Sequence, residues 1–304
     1  MFRICFGFLF SIASFSFAQT DIFTVTNVDI NSEYPHFGLM YSSANEIIFS
    51  SFLLNDKGRV QKSQGREILT VFKGTVSSSG GIDVYAPIQI DSSYKLDYIT
   101  SASISPDGKY LYVTTQYISK DMSKGNFKQD NFHIKRGVFK AGVGWTDFVV
   151  LPFCNPKYSY AHPALSPDGK VLYFTSNIRG GKETTRGGSD IFTVEVLDDG
   201  SYGEPKNLGS MVNSYSKEMF PFVDLEGTLY LASNHPNGYG GYDIYRCRLG
   251  ADGNFERAEK LPKPINSRSD DLSFVINLVT NSGYVSSKRE GGKGDDDIYY
   301  FKPI

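Results

Sequence analysis

Four histidines, His36, His133, His162 and His235, are the side chains best suited to hold a metal or move a proton near neutral pH, and they lie in four different parts of the chain. None has a partner at zinc-motif spacing, so each is expected to pack or face solvent, and no metal or cofactor is expected. Asp295-Asp296-Asp297 has the charge of a calcium loop but lacks spaced ligands and a closing glutamate. The chain contains no Gly-x-Ser-x-Gly elbow for an activated serine. Gly180-Gly181, Gly187-Gly188, Gly240-Gly241 and Gly291-Gly292 could cradle phosphate only if they opened a helix; here they join strand to strand and read as hairpin turns. Glycoside hydrolysis would need two carboxylates facing one pocket. The one tryptophan, Trp145, sits where Tyr202 and Phe255 sit in other repeats, at the start of an outer strand, and reads as packing rather than a sugar platform.

The elements that would position any site are repeated. Leu172-Tyr173-Phe174-Thr175-Ser176-Asn177 returns as Leu229-Tyr230-Leu231-Ala232-Ser233-Asn234 and as Gly283-Tyr284-Val285-Ser286-Ser287-Lys288. Val171 to Ser176 alternates like a half-buried strand. Each copy leads through paired glycines to Asp190-Ile191-Phe192, Asp243-Ile244-Tyr245 or Asp297-Ile298-Tyr299. An aspartate recurring at one structural position suits a turn-fixing hydrogen bond better than catalysis. Ser166-Pro167-Asp168-Gly169 and Ser105-Pro106-Asp107-Gly108 are tight turns before two of these strands, and Ile47 to Ser51 followed by Glu67 to Val71 is a worn first copy. The period is roughly 55–65 residues, that of a four-stranded propeller blade or slightly longer.

These motifs, with Asn177 and Arg179, Gly240-Gly241 before Asp243 to Tyr245, and the Ile265-Asn266-Ser267 linker, resemble the WD40-like PD40 repeat of TolB-type β-propellers. They are most similar to the propeller domains of Bacteroidota OmpA-family and type IX secretion-associated envelope proteins. The resemblance covers nearly all of the chain after residue 18 and implies the fold together with an envelope role. Neither a peptidoglycan-binding domain nor a tetratricopeptide segment accompanies it, so anchoring is not carried over.

Met1 to Ala18 has one early positive charge, an apolar run and a Ser16-Phe17-Ala18 cleavage site, the pattern of a signal peptide cut before Gln19. Cys5 lacks the setting of a lipoprotein cysteine. The expected organisation is a signal peptide over 1–18 and a propeller over 19–304. The product would be exported, periplasmic or outer-membrane-associated or extracellular, without membrane insertion, and monomeric on its own. A formal net charge of −2 argues against nucleic acid. Aromatics at 14%, with no sustained helical period, place the chain in the all-β class.

Linkers Asp91-Ser92, Asn213-Ser214 and Asn266-Ser267 follow fourth strands expected over 82–90, 202–212 and 255–265. The last repeat stops after its third strand, and Asp21 to Ile30 supplies the missing piece before Asn31-Ser32. The expected fold is one five-bladed propeller of four-stranded antiparallel blades closed by the N-terminal strand, with six blades as the alternative. Cys154 and Cys247 would then be separated by a blade, beyond disulfide reach.

Loops between second and third strands and the linkers into inner strands should share one face. Glu33, Asp97, Glu218 and Asp271 stand where inner strands are expected to begin, with Tyr160 beside His162 in the remaining repeat. That suggests an acidic ring at the channel mouth, surrounded by loops carrying Lys120, Lys124, Lys128, Arg179, Lys182 and Arg186. The acids could instead pair with Arg179 or Arg289 and tie blades together. Two functions fit: a non-enzymatic module binding an envelope protein or a cell-wall or polysaccharide polymer, or a glycoside hydrolase-like propeller enzyme.

Overall fold

The repeated Leu-Tyr segments form the second strand of each blade, and they are buried on both faces. Leu229–Ser233 and Ser282–Ser287 are buried at every position, and Val171–Ser176 at all but the first. The half-buried strand expected at Val171 to Ser176 is therefore covered on both sides, because blades stack face to face and the neighbouring blade replaces solvent. The structure is a computed structural model and describes residues 22–63, 65–116 and 131–304. The signal peptide expected over 1–18 lies outside the described residues, as do Lys120, Lys124 and Lys128.

Five four-stranded antiparallel sheets make up an all-β propeller. The inner strands, which neighbour one another around a closed ring, are Phe37–Ser43, Ile99–Ile104, Tyr160–Leu165, Glu218–Val223 and Asp271–Asn277. Third strands are Leu69–Val76, Phe132–Lys140, Asp190–Glu195, Asp243–Cys247 and Asp297–Pro303. The fourth strands of blades one and two are Ile82–Pro87 and Gly144–Val150; those of blades three and four shrink to Lys206–Asn207 and Glu259–Lys260. They are far shorter than the expected 202–212 and 255–265. Pro205 cannot donate to a ladder, and Pro262 and Pro264 end the pairing on the other side. Cross-strand aromatic pairs fill the blades: Phe49 stacks on Phe72 at 5.7 Å and Phe174 on Phe192 at 5.8 Å. Trp145 is buried against Ile48, Val71 and Ile99, in the packing role expected of it.

The fifth blade takes its outer strand from the other end of the chain. Phe23–Asn27 pairs antiparallel with Asp297–Pro303, setting Val25 opposite Phe301 and Asn27 opposite Tyr299. The Phe23 ring meets Phe301 edge-on at 5.6 Å. Linker asparagines fasten the blades. Asn31 Nδ2 donates to the Ile298 carbonyl at 2.7 Å, and the Ile298 amide donates to Asn31 Oδ1 at 2.9 Å. Asn213 grips both backbone groups of Ile191 in the same way at 2.7 and 2.9 Å, and Asn266 those of Ile244 at 2.7 and 2.9 Å.

The aspartate before each gripped isoleucine fixes the glycine-rich turn behind it, as the repetition implies. Asp190 accepts from the Arg186 and Gly187 amides at 2.8 and 3.2 Å, and Asp243 from those of Tyr239 and Gly240 at 2.7 and 3.2 Å. Asp297 takes the amides of Lys293 and Gly294. In the Ser-Pro-Asp-Gly turns, Ser166 Oγ donates to Asp168 at 2.6 Å and accepts from the Val171 amide at 2.9 Å, while Gly169 takes the positive φ of 72° that the turn requires.

Cys154 and Cys247 are free thiols. Burial pushes both up to about 12. Both should resist alkylation in the folded protein at about pH 8 and react after denaturation without reductant; a thiol protected until reductant is added would contradict the structure. Replacing Asn31 with alanine strands the buried amide of Ile298, while its carbonyl keeps the Val28 amide at 3.1 Å. It should lower unfolding free energy by about 1–3 kcal/mol, read as a shifted urea midpoint at unchanged slope. Asn213→Ala should cost a similar amount, and an unshifted midpoint in either would refute the clamp.

Candidate binding site at the channel mouth

Alternation along the inner strands decides which residues see the channel. Glu218 pairs with Ser233 and Asp271 with Ser287; the same register sets Tyr160 opposite Ser176 and Ile99 opposite Thr115. All four of these inner-strand residues are buried between blades. The residues one step on, Thr100, Ala161, Met219 and Leu272, line the channel mouth together with Phe37.

The acidic ring therefore does not form. Glu33 is exposed on the linker three residues before the equivalent position, which His36 occupies, and Asp97 lies two residues before Ile99. Asp97 accepts a hydrogen bond from Ser63 Oγ at 2.7 Å. Tyr160 packs in the core against Phe174. Asp271 meets Arg289 Nη2 at 2.7 Å and accepts from the Ser267 amide at 2.5 Å, an ion pair of the kind offered as the alternative but made within blade five rather than between blades. Arg179 spans its own loop, donating to the carbonyls of Thr185 and Gly187 at 3.0 and 2.5 Å, and meets no acid among the described residues. Of the expected site residues among those described, His162 alone lines the mouth.

What the mouth contains is a blind funnel of about 540 Å³. Its floor is aromatic. The His162 and Phe220 rings stack at 3.8 Å, and Phe37 meets Phe220 edge-on at 6.4 Å. Beneath them the channel narrows to a void of about 10 Å³, room for about one water molecule. Each inner strand has a bulge here. Gly38, His162 and Phe220 take positive φ of 68°, 53° and 50° at the equivalent residue of three blades. At Gly38 an added Cβ would stand 2.9 Å from the Thr100 carbonyl oxygen. For histidine and phenylalanine this backbone is strained, and strain of this kind gathers at functional positions. It turns both rings across the channel.

Hydroxyls hold the floor from below. Thr114 Oγ1 accepts from the His162 amide at 2.9 Å and lies 2.8 Å from Ser101 Oγ; Ser273 Oγ accepts from the Gly38 amide at 3.0 Å and lies 2.8 Å from Ser286 Oγ. His162 Nδ1 is 3.2 Å from Thr175 Oγ1. Although one side of its ring reaches the funnel, the surrounding protein pushes its pKa down to about 3. The walls add Phe132, Tyr242, Asn177, Lys217 and Lys288, and Asp270 as the one carboxylate among the described lining residues. In blades three, four and five the sequence points to Tyr160, Glu218 and Asp271, each one residue before the strand residue that faces the mouth. The phase of the alternation around Met219 and Leu272 was the available signal.

Two outcomes are expected. Arg289→Met, which leaves Asp271 buried without its counter-ion, should destabilise by about 3 kcal/mol, whereas Glu33→Lys should leave the melting temperature unchanged. Equal effects would restore the ring. A histidine whose folded pKa lies below its unfolded value takes up its proton only on unfolding, so stability falls as pH drops below about 6.5. Over about pH 4–6, His162→Phe should flatten the stability–pH slope by about 1.4 kcal/mol per pH unit; an unaltered slope would mean that His162 titrates normally.

No family model matches the chain, and no curated protein matches it. Among solved structures, the chain is similar to an α-L-arabinofuranosidase from Lactobacillus brevis at 12% identity and a TM-score of 0.53, covering 90% of each chain. It is similar to an exo-1,5-α-L-arabinanase from a bovine ruminal metagenomic library at 11% identity and a TM-score of 0.52, covering 89% of this chain and 94% of that one. A TolB protein from Agrobacterium tumefaciens aligns at 12% identity and a TM-score of 0.43, covering 93% and 91%. At these identities the likeness establishes the propeller fold and carries nothing about activity.

Proposed function

We propose that the protein is a binding module of the cell envelope that takes a segment of a partner protein or polymer into the funnel. The aromatic floor carries this reading. Phe37, His162 and Phe220 close a blind pocket whose walls offer amide and hydroxyl groups with apolar surface, the lining of a recognition site. Among the described lining residues Asp270 stands as one carboxylate where a glycosidase would place two. Lys217 and Lys288 beside it suit a guest with some negative charge. The N-terminal pattern of a signal peptide supports a place outside the cytoplasm for such a module. The rigid ring provides a surface fixed before binding, so little ordering cost falls on the module itself.

The test is capture from an envelope extract by the immobilised protein, compared with Lys217→Glu and Tyr242→Ala. Both substitutions alter the funnel wall, and their folding is checked by melting temperature. A bound species retained by the unaltered protein and lost by both variants supports the reading. Equal capture by all three, or release of reducing sugar from arabinan or xylan by the unaltered protein, would overturn it.

A further inference from the structure

Blades four and five share one construction that differs at a single decisive residue. Asn213 and Asn266 clamp the preceding blade, Ser214 and Ser267 follow them, and Glu218 and Asp271 open the inner strands opposite Ser233 and Ser287. Two residues beyond those last serines stand His235 in blade four and Arg289 in blade five. Arg289 lies along its linker, donating to the carbonyls of Pro264 and Ile265 at 3.0 and 2.7 Å and to Asp271 at 2.7 Å. His235 turns elsewhere: its Nδ1 accepts from the Asn237 amide at 3.2 Å.

Among the described residues, no side chain takes the place of Arg289 in blade four. A cavity of about 930 Å³ opens there, separate from the funnel, with Val212, Ser214, Glu218, Ser233 and Tyr245 in its wall. Glu218 is fully buried. Its Oε1 accepts from Ser214 and Ser233 at 2.6 and 2.8 Å, whereas Oε2 accepts no hydrogen bond, and the Tyr245 hydroxyl is likewise unpartnered. Burial raises the pKa of this carboxyl against the opposing effect of the two serine hydroxyls. An uncompensated buried acid of this kind is expensive unless something pairs with it. The cavity rim is basic, through Arg186, Arg257 and Lys260.

We propose that this cavity binds a guanidinium or primary ammonium group, seated on Glu218 as Arg289 is seated on Asp271, in a ligand whose remainder carries a carboxylate. The fold itself supplies the template: blade five shows this construction with its cation built in. A planar fork that meets the carboxylate and the linker carbonyls together, as Arg289 does, favours guanidinium over ammonium. The basic rim disfavours a bare cation and favours a zwitterion. Free arginine and the carboxy-terminal arginine of a peptide chain both offer this chemistry.

Calorimetric titration with L-arginine, with the peptide Gly-Gly-Arg and with agmatine, which lacks the carboxylate, tests the assignment. Saturable 1:1 binding of arginine or of the peptide is expected, and the tighter of the two identifies the source. Agmatine should bind about tenfold more weakly or worse, and Glu218→Gln should lose about tenfold or more. His235→Arg restores the blade-five arrangement, so it should raise the melting temperature while abolishing binding, which keeps the test decisive if Glu218→Gln folds poorly. Absence of saturable binding by both arginine and the peptide, binding that survives His235→Arg, or agmatine binding as tightly as arginine would overturn the proposal. Capture through the funnel is read with other variants, so either can fail alone.

Discussion

A ring of stacked sheets is stable only if it is closed. Each blade buries both faces of its second strand against its neighbours, so an opened ring would expose two apolar sheet faces as well as an unpaired edge. The strand Phe23–Asn27 removes that edge by pairing with Asp297–Pro303, and Asn31 locks the join through both backbone groups of Ile298. The same two-point grip recurs at Ile191 and Ile244, where the chain is continuous. Closure thus reuses the device that spaces blades elsewhere, and it joins the two ends of the described chain.

The closed ring also dictates what the channel can display. Inner strands present alternate residues to the channel and to the gaps between blades, which sends Glu218 and Asp271 inward among the blades and Lys217, Met219, Asp270 and Leu272 towards the mouth. A bulge below each of these positions turns the backbone, and in two blades it swings an aromatic ring across the axis at positive φ. The result is a funnel with a floor rather than a pore. The acids left between blades then have to be satisfied locally. Blade five does so with Arg289, and blade four does so only in part, through two serine hydroxyls.

Much of this was legible in residues whose role is local. Asp190, Asp243 and Asp297 could be read as turn-fixing because the hydrogen bonds span only a few positions; the Asn-Ser pairs marked blade junctions by recurring after the outer strands, although their bonds reach back to another strand. Closure by Asp21 to Ile30 was legible because one outer strand was missing from one end of the chain and present at the other. The channel lining was not. In Glu218-Met219-Phe220-Pro221 apolar and polar residues do not alternate cleanly, since both sides of the strand are covered, so the pattern leaves its phase open. The bulge between Met219 and Phe222 shifts it again. Outer strands were overestimated in blades three and four, where Pro205, Pro262 and Pro264 limit pairing to two residues a side. The difference between His235 and Arg289 becomes visible only after the strand register aligns the two blades.

The central claim is that the first strand is an integral part of the last blade. Amide hydrogen exchange, resolved to the individual strands, measures this directly. Closure predicts that the ladder amides of 23–27 and 297–303 exchange together, as slowly as those of the buried second strands and only through global unfolding. Fast exchange of 23–27 at the rate of the exposed linkers, with 297–303 behaving as an open edge, would contradict it.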